Sequence, residues 1–126
     1  MKNLNRFQFI GNLTKDTELR YTAKSTPIAI FDIAVNGSYK DQETGEIKEY
    51  TDFFRIKVWG KAAENAAKFL GKGSQVFVEG VGSMRNTQYE SNGQKVYGID
   101  YIAENIQYLN IKSPASSSAV AGKKTD

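Results

Sequence analysis

Thr51-Asp52-Phe53-Phe54-Arg55-Ile56-Lys57-Val58-Trp59-Gly60-Lys61 is the stretch on which the reading of this chain turns. Side chains of an extended strand alternate between its two sides, so Phe53, Arg55, Lys57 and Trp59 share one face while Phe54, Ile56 and Val58 share the other. The second face is ordinary core. The first presents aromatic, cation, cation, aromatic, a surface matched to something flat and negatively charged. An unpaired nucleic-acid strand has both properties, because bases stack on rings and phosphates pair with Lys and Arg. A half-buried strand of any β protein can also carry aromatics on both faces, with basic residues that only solvate an edge. The strand alone leaves both readings open.

Composition narrows the field. A chain of 126 residues suits one domain with a substantial core. With 40% hydrophobic and 25% charged residues it has ordinary globular composition. A net charge of +3 leans mildly towards a polyanionic partner without requiring one. Cysteine and histidine are both absent, which excludes disulfides, Cys or His zinc sites, a thiol nucleophile and an imidazole base. The apolar run from Ile28 to Val35 is interrupted by Asp32 and far too short to span a bilayer, and Met1 to Phe7 has no signal-peptide character. A soluble, intracellular protein is expected.

Outward from the central stretch, Phe7, Phe9 and Leu13 mark a first strand with a bend or bulge at Gly11. A short strand is expected around Leu19 to Thr22, closed by the turn Lys24-Ser25-Thr26-Pro27. In the β-prone run Ile28 to Asn36, Phe31, Ile33 and Val35 share a face. The polar excursion from Gly37 to Glu49 reads as a projecting hairpin with its tip at Asp41 to Glu46 and Tyr39 near its base. After Gly60 the period changes: Ala62, Ala63, Ala66, Ala67, Phe69 and Leu70 form a one-sided helical stripe that stops at Gly71. Gln75 to Glu79 is again a strand. Met84 to Tyr89 and Lys95 to Tyr101 form a hairpin turned by Asn92-Gly93, and Ile106, Tyr108 and Leu109 close the sheet. The segment from Ser113 to Asp126 lacks bulky residues and is expected to be a disordered tail beyond a domain covering 1–112.

Strands on both sides of one lone helix point to an all-β domain with one helix. The specific expectation is an OB-fold: a five-stranded Greek-key barrel with its helix between the third and fourth strands. An SH3-like barrel competes on size but has no such helix.

The ordered strings Phe9-Ile10-Gly11-Asn12-Leu13-Thr14-Lys15-Asp16, Glu18-Leu19-Arg20-Tyr21-Thr22, Thr51-Asp52-Phe53, Val58-Trp59-Gly60-Lys61-Ala62-Ala63-Glu64, Leu70-Gly71-Lys72-Gly73-Ser74-Gln75-Val76 and Val78-Glu79-Gly80 together resemble the bacterial single-stranded-DNA-binding protein family over roughly residues 4 to 109. The resemblance implies an OB-fold, usually a homotetramer, that binds single-stranded DNA in the cytoplasm, at the nucleoid, with little sequence preference and no cofactor, metal or catalysis. It implies stacking roles for Tyr39, Phe53 and Trp59 and phosphate contacts from Arg55, Lys61, Lys72, Arg85 and Arg20. Lys57 joins them from the strand pattern alone. Thr87 stands where the family usually has another aromatic, and Tyr89, two residues on, can replace it if the strand carries a bulge. The family's acidic C-terminal peptide has no counterpart in Gly122-Lys123-Lys124-Thr125-Asp126, so the resemblance does not extend to tail-mediated recruitment of replication proteins. An OB-fold nuclease finds no metal-ligand spacing among Asp16, Glu18, Asp52 and Glu79. A primosome-type or RNA-binding OB protein stays open, since no residue here reads a 2′-hydroxyl.

Overall fold

The computed structural model describes residues 3–115. The chain runs β1 (Arg6–Leu13), β2 (Glu18–Tyr21), β3 (Pro27–Lys40), β4 (Ile47–Trp59), α1 (Lys61–Phe69), β5 (Gln75–Val81), β6 (Met84–Ser91), β7 (Gln94–Ile102) and β8 (Asn105–Asn110). All eight strands belong to one sheet in the order β6-β7-β4-β3-β1-β5-β8, with β2 added beside β3.

The ends of that path meet through the chain itself. β7 runs parallel to β4 at Ile56↔Tyr101 and Lys57↔Ile102, and β8 runs antiparallel to β5. Between them the amide of Ala103 donates to the carbonyl of Lys57 at 2.9 Å, and the amide of Glu104 donates to that of Glu79 at 2.8 Å. One bent strand, β7 with β8, therefore bridges β4 and β5 and curls the sheet round on itself. Counting it once, the ring is β1, β3, β4, β5 and the bent strand, the OB-fold expected from the sequence. The helix falls between the third and fourth of these. β2 and β6 are additions to the ring.

The period-2 pattern places the core. Phe31, Ile33, Ile56, Val58, Val76 and Val78 point inward from β3, β4 and β5 and are fully or almost fully buried. Helix α1 closes one end with Ala63, Ala66 and Ala67, residues small enough to let its backbone lie close on β3, and Leu70 follows it inward. Phe9 stacks on Phe54 with centroids 4.1 Å apart, and Tyr101 meets both rings edge-on at 5.4 Å. The turn Asn92-Gly93 has φ of 53° and 78°, the paired left-handed conformation that a tight hairpin requires.

The ladder between β3 and β4 continues unbroken from Ile28↔Trp59 to Lys40↔Ile47. The polar excursion is thus regular ribbon almost to its tip, because backbone pairing continues whatever the side chains. Tyr39 consequently sits near the tip, opposite Lys48, and not at the base. At the other extreme the barrel contact persists past Lys112: Pro114 is buried, and the amide of Gly71 donates to the Lys112 carbonyl at 2.8 Å. Residues 116–126 of the expected tail lie outside the described residues.

Gly11 lies where β1, paired along its length with β5, also meets β3. A Cβ there would stand 2.7 Å from the carbonyl oxygen of Ala34, a backbone atom that cannot swing aside. Gly11→Ala is expected to lower stability by about 1–3 kcal/mol in urea denaturation. Gly98→Ala, where the nearest atom is a Thr87 methyl at 3.5 Å, should change it by less than about 0.5 kcal/mol.

Candidate nucleic-acid interface

Cross-strand register assembles the outward face. Residues directly opposite one another share a face of the sheet, so Arg20, Ile28 and Trp59 form one row across β2, β3 and β4. Glu18, Ile30 and Lys57 form the next, and Asp32 with Arg55 the one after. On the other side the β6–β7 hairpin contributes Arg85 opposite Asp100, Thr87 opposite Gly98 and Tyr89 opposite Val96. Between the two walls runs an open groove of about 510 Å³, lined by Arg20, Arg55, Lys57, Thr87, Tyr89 and Asp100 among others.

The alternation expected for β4 is what the structure has. Phe53 is 67% exposed and Trp59 43%, whereas Ile56 and Val58 are sealed in the core. The two rings stand at opposite ends of a row about 20 Å long, with Arg55 and Lys57 between them over the groove. Thr87 and Tyr89 both face the groove, and the β6–β7 register is continuous from Met84 to Ser91. Tyr89 thus reaches the groove without the bulge that its substitution for an aromatic at Thr87 was expected to need.

Other expected residues fall elsewhere. Tyr39 has the parity of Phe31 and Ile33, which puts it on the opposite face of the ribbon from Phe53 and Trp59. There it neighbours Tyr50, centroids 6.4 Å apart, a ring that lies over Gly37. Tyr50 was not singled out from the sequence, although its place in a polar, two-sided ribbon was the available signal. Lys61 opens α1 just beyond Trp59, and Lys72 lies in the turn before β5, where its amide donates to Asp16 Oδ1 at 2.8 Å. Neither lines the groove, nor do Phe53, Trp59 and Arg85.

The sequence reading also missed the groove's own anions. Asp32 accepts from Arg55 Nε at 2.9 Å and Nη2 at 3.2 Å, and Lys15 Nζ lies 3.8 Å from it. Asp100 pairs with Lys57 at 3.2 Å, and Glu18 with Arg20 Nη2 at 2.7 Å. The cation track is thus largely neutralised from within. The signal available was acidic residues on the outward face of strands flanking a basic one. Hydrogen bonding from Arg55 holds the Asp32 carboxyl below the ordinary aspartate range; partial burial opposes this, and the charges of Arg55 and Lys15 reinforce it. Among the described residues no cluster of three or more His, Cys, Asp or Glu could hold a metal ion, and no helix is long and apolar enough to cross a membrane.

Comparison with known proteins bears directly on this arrangement. The family model described as "Single-strand binding protein family" matches residues 4–109. The chain belongs to the single-strand binding protein family. Single-stranded DNA-binding protein 3 of Listeria innocua is 44% identical over 110 residues, covering 86% of this chain and 66% of the relative. Single-stranded DNA-binding protein 1 of Xylella fastidiosa is 38% identical over 112 residues, covering 89% of this chain and 82% of the relative. The chain thus spans somewhat less than two thirds of the Listeria protein's length. A solved structure of a Plasmodium falciparum SSB complex with ssDNA superposes with a TM-score of 0.75 at 24% identity, covering 87% of this chain and 98% of that one. That likeness concerns the fold.

In this member of the family the Asp32–Arg55 pair has a measurable consequence. A carboxyl whose folded pKa is depressed contributes stability that is complete above its unfolded pKa and is lost as pH falls through the folded value. The Tm advantage of the unmodified protein over Asp32→Asn should therefore be constant from pH 7 to about pH 5 and shrink progressively below about pH 4, followed by circular dichroism.

Proposed function

We propose that this chain binds single-stranded DNA without sequence preference and, without catalysis, coats strands exposed during replication, recombination or repair. The observation that carries the reading is the outward face of β4, where exposed Phe53 and Trp59 bracket Arg55 and Lys57 over an open groove. Membership of the single-strand binding protein family supports it. Unpaired bases stack on the rings, contributing about 1–3 kcal/mol each whatever their identity, since every base has a flat face. Bases in a duplex are already stacked and paired inside the helix and cannot reach Phe53 or Trp59. Tyr89 stacks from the far wall, and Tyr39 with Tyr50 offers rings on the ribbon's other face to a strand that wraps round it. Lys61, Lys72 and Arg85 neutralise phosphates along the approach. The groove carboxylates Glu18, Asp32 and Asp100 are engaged by cations, which leaves none poised as a general base.

The same reading has the chain act in the cytoplasm as a homo-oligomer, with a tetramer expected. Supporting this, the outer face of β1 and β5 exposes Ile10 and Val81, with half-buried Phe77 opposite Ile10, and offers few charges to resist self-association. Ile10→Glu is expected to shift the protein to smaller species in sedimentation equilibrium without lowering its helix or strand content.

Phe53→Ala should weaken binding of oligo-dT about 5- to 150-fold, read by quenching of Trp59 fluorescence, with the dependence of log K on log[salt] unchanged because a ring displaces no counterion. Trp59→Ala should behave alike by anisotropy of a labelled oligomer. Matched RNA and duplex competitors, and the intact length of the labelled strand after incubation with Mg²⁺, complete the test. Equal affinity for duplex, or shortening of the strand, would sink the proposal.

A further inference from the structure

We propose that Arg55 meets the bound strand with the flat face of its guanidinium, as a stacking platform, and that Asp32 is the positioning residue that assigns it this role. The inference deepens the reading of this groove as a single-stranded DNA site and rests on that reading. A cation on such a face is ordinarily read as a phosphate contact, and the geometry points elsewhere.

Arg55 and Asp32 stand directly opposite each other in the β3–β4 register. Nε donates to Oδ1 at 2.9 Å and Nη2 to Oδ2 at 3.2 Å, so the carboxylate grips one edge of the guanidinium with two parallel bonds. That grip fixes the plane of the group and sets a negative charge beside its positive one. The carboxylate lies low on the sheet, 22% exposed, while the Arg55 side chain is 60% exposed and forms part of the groove wall. Two of the five N–H donors are committed, and the rest point away from the grip.

A phosphate brought to those remaining donors meets a guanidinium whose charge the Asp32 carboxylate already offsets in part, so it gains less there than at an unpaired cation. A base laid on the exposed plane brings no net charge, and the guanidinium is one of the side-chain surfaces on which bases stack. The location fits, since Arg55 follows Phe53 on the same strand face and shares the groove with Tyr89. Lys57 provides the internal contrast. Asp100 holds it at 3.2 Å, but an ammonium has no plane, so the same neutralisation leaves it no stacking role. Among the described residues no ion pair is formed by Lys61 or Arg85, which leaves their charges available to phosphates.

The test measures log K against log[salt] for oligo-dT and for an abasic oligomer of equal length, with the unmodified protein, Arg55→Lys, Arg55→Gln and Asp32→Asn, each checked for folding by thermal melting. Arg55→Lys should weaken oligo-dT binding roughly tenfold, leave the salt slope unchanged and leave abasic binding untouched, whereas Arg55→Gln, by uncovering the Asp32 carboxylate, should weaken both oligomers and flatten the slope. Asp32→Asn, by releasing the guanidinium charge, should steepen the slope by about 0.7. The inference is overturned if Arg55→Lys keeps the unmodified affinity and slope on both oligomers, or if it weakens oligo-dT and abasic binding equally. Should Asp32→Asn fail to fold, Arg55→Lys on the two oligomers still decides. An unmodified protein that does not bind oligo-dT would instead overturn the function proposed above, so the two failures are distinguishable.

Discussion

Closure of the sheet by one bent strand is the constraint on which the remainder depends. The amides of Ala103 and Glu104 donate to opposite sides, one to β4 through Lys57 and the other to β5 through Glu79. Without that bridge the path would end in two unpaired edges, at β8 on one side and the β6–β7 hairpin on the other. With it, each ring strand has an inside and an outside, and alternation along β4 becomes a sorting of Phe54, Ile56 and Val58 to the core and of Phe53, Arg55, Lys57 and Trp59 to the outer face. The groove is a by-product of the same bend, because parallel pairing of β7 with β4 swings the hairpin arms of β6 and β7 up beside β2 and β3.

The groove's electrostatics differ from a simple positive track. Arg20, Arg55 and Lys57 each have a carboxylate partner within 3.2 Å. Exposed pairs of this kind contribute little to stability, typically below about 1 kcal/mol. Their effect is to orient long side chains before a ligand arrives and to lower the number of counterions those side chains hold. Under the function proposed above, rings then carry much of the affinity at the groove, and the cations outside it carry most of the salt dependence. A binder indifferent to base identity is suited by that division, since stacking tolerates every base.

Much of the fold could be read from residue order. The apolar alternation at Phe54, Ile56 and Val58, the alanine stripe of α1 and the Asn92-Gly93 turn are all local patterns, and each is where the reading placed it. Family strings spread over residues 4 to 109 agreed with them. Side-chain roles were less legible. Tyr39 could have been assigned by counting parity from Phe31, yet that count holds only if the ladder runs unbroken through the polar excursion, which residue identities do not reveal. The partnership of Asp32 with Arg55 depends on β3–β4 register, and that of Asp100 with Lys57 on a parallel pairing between strands 43 residues apart.

By itself, then, the order of residues determined which segments are strands, which single segment is a helix, and which side chains of β4 share a face, because these follow from backbone periodicities acting over a few residues. Only the tertiary structure decided that Tyr89, the cations and their carboxylate partners converge on one groove, with Phe53 and Trp59 on the same face of β4 as Arg55 and Lys57, while Tyr39 and Tyr50 lie across the ribbon. Those relations are set by register and by closure between distant segments, and a shift of one residue in either would exchange every face.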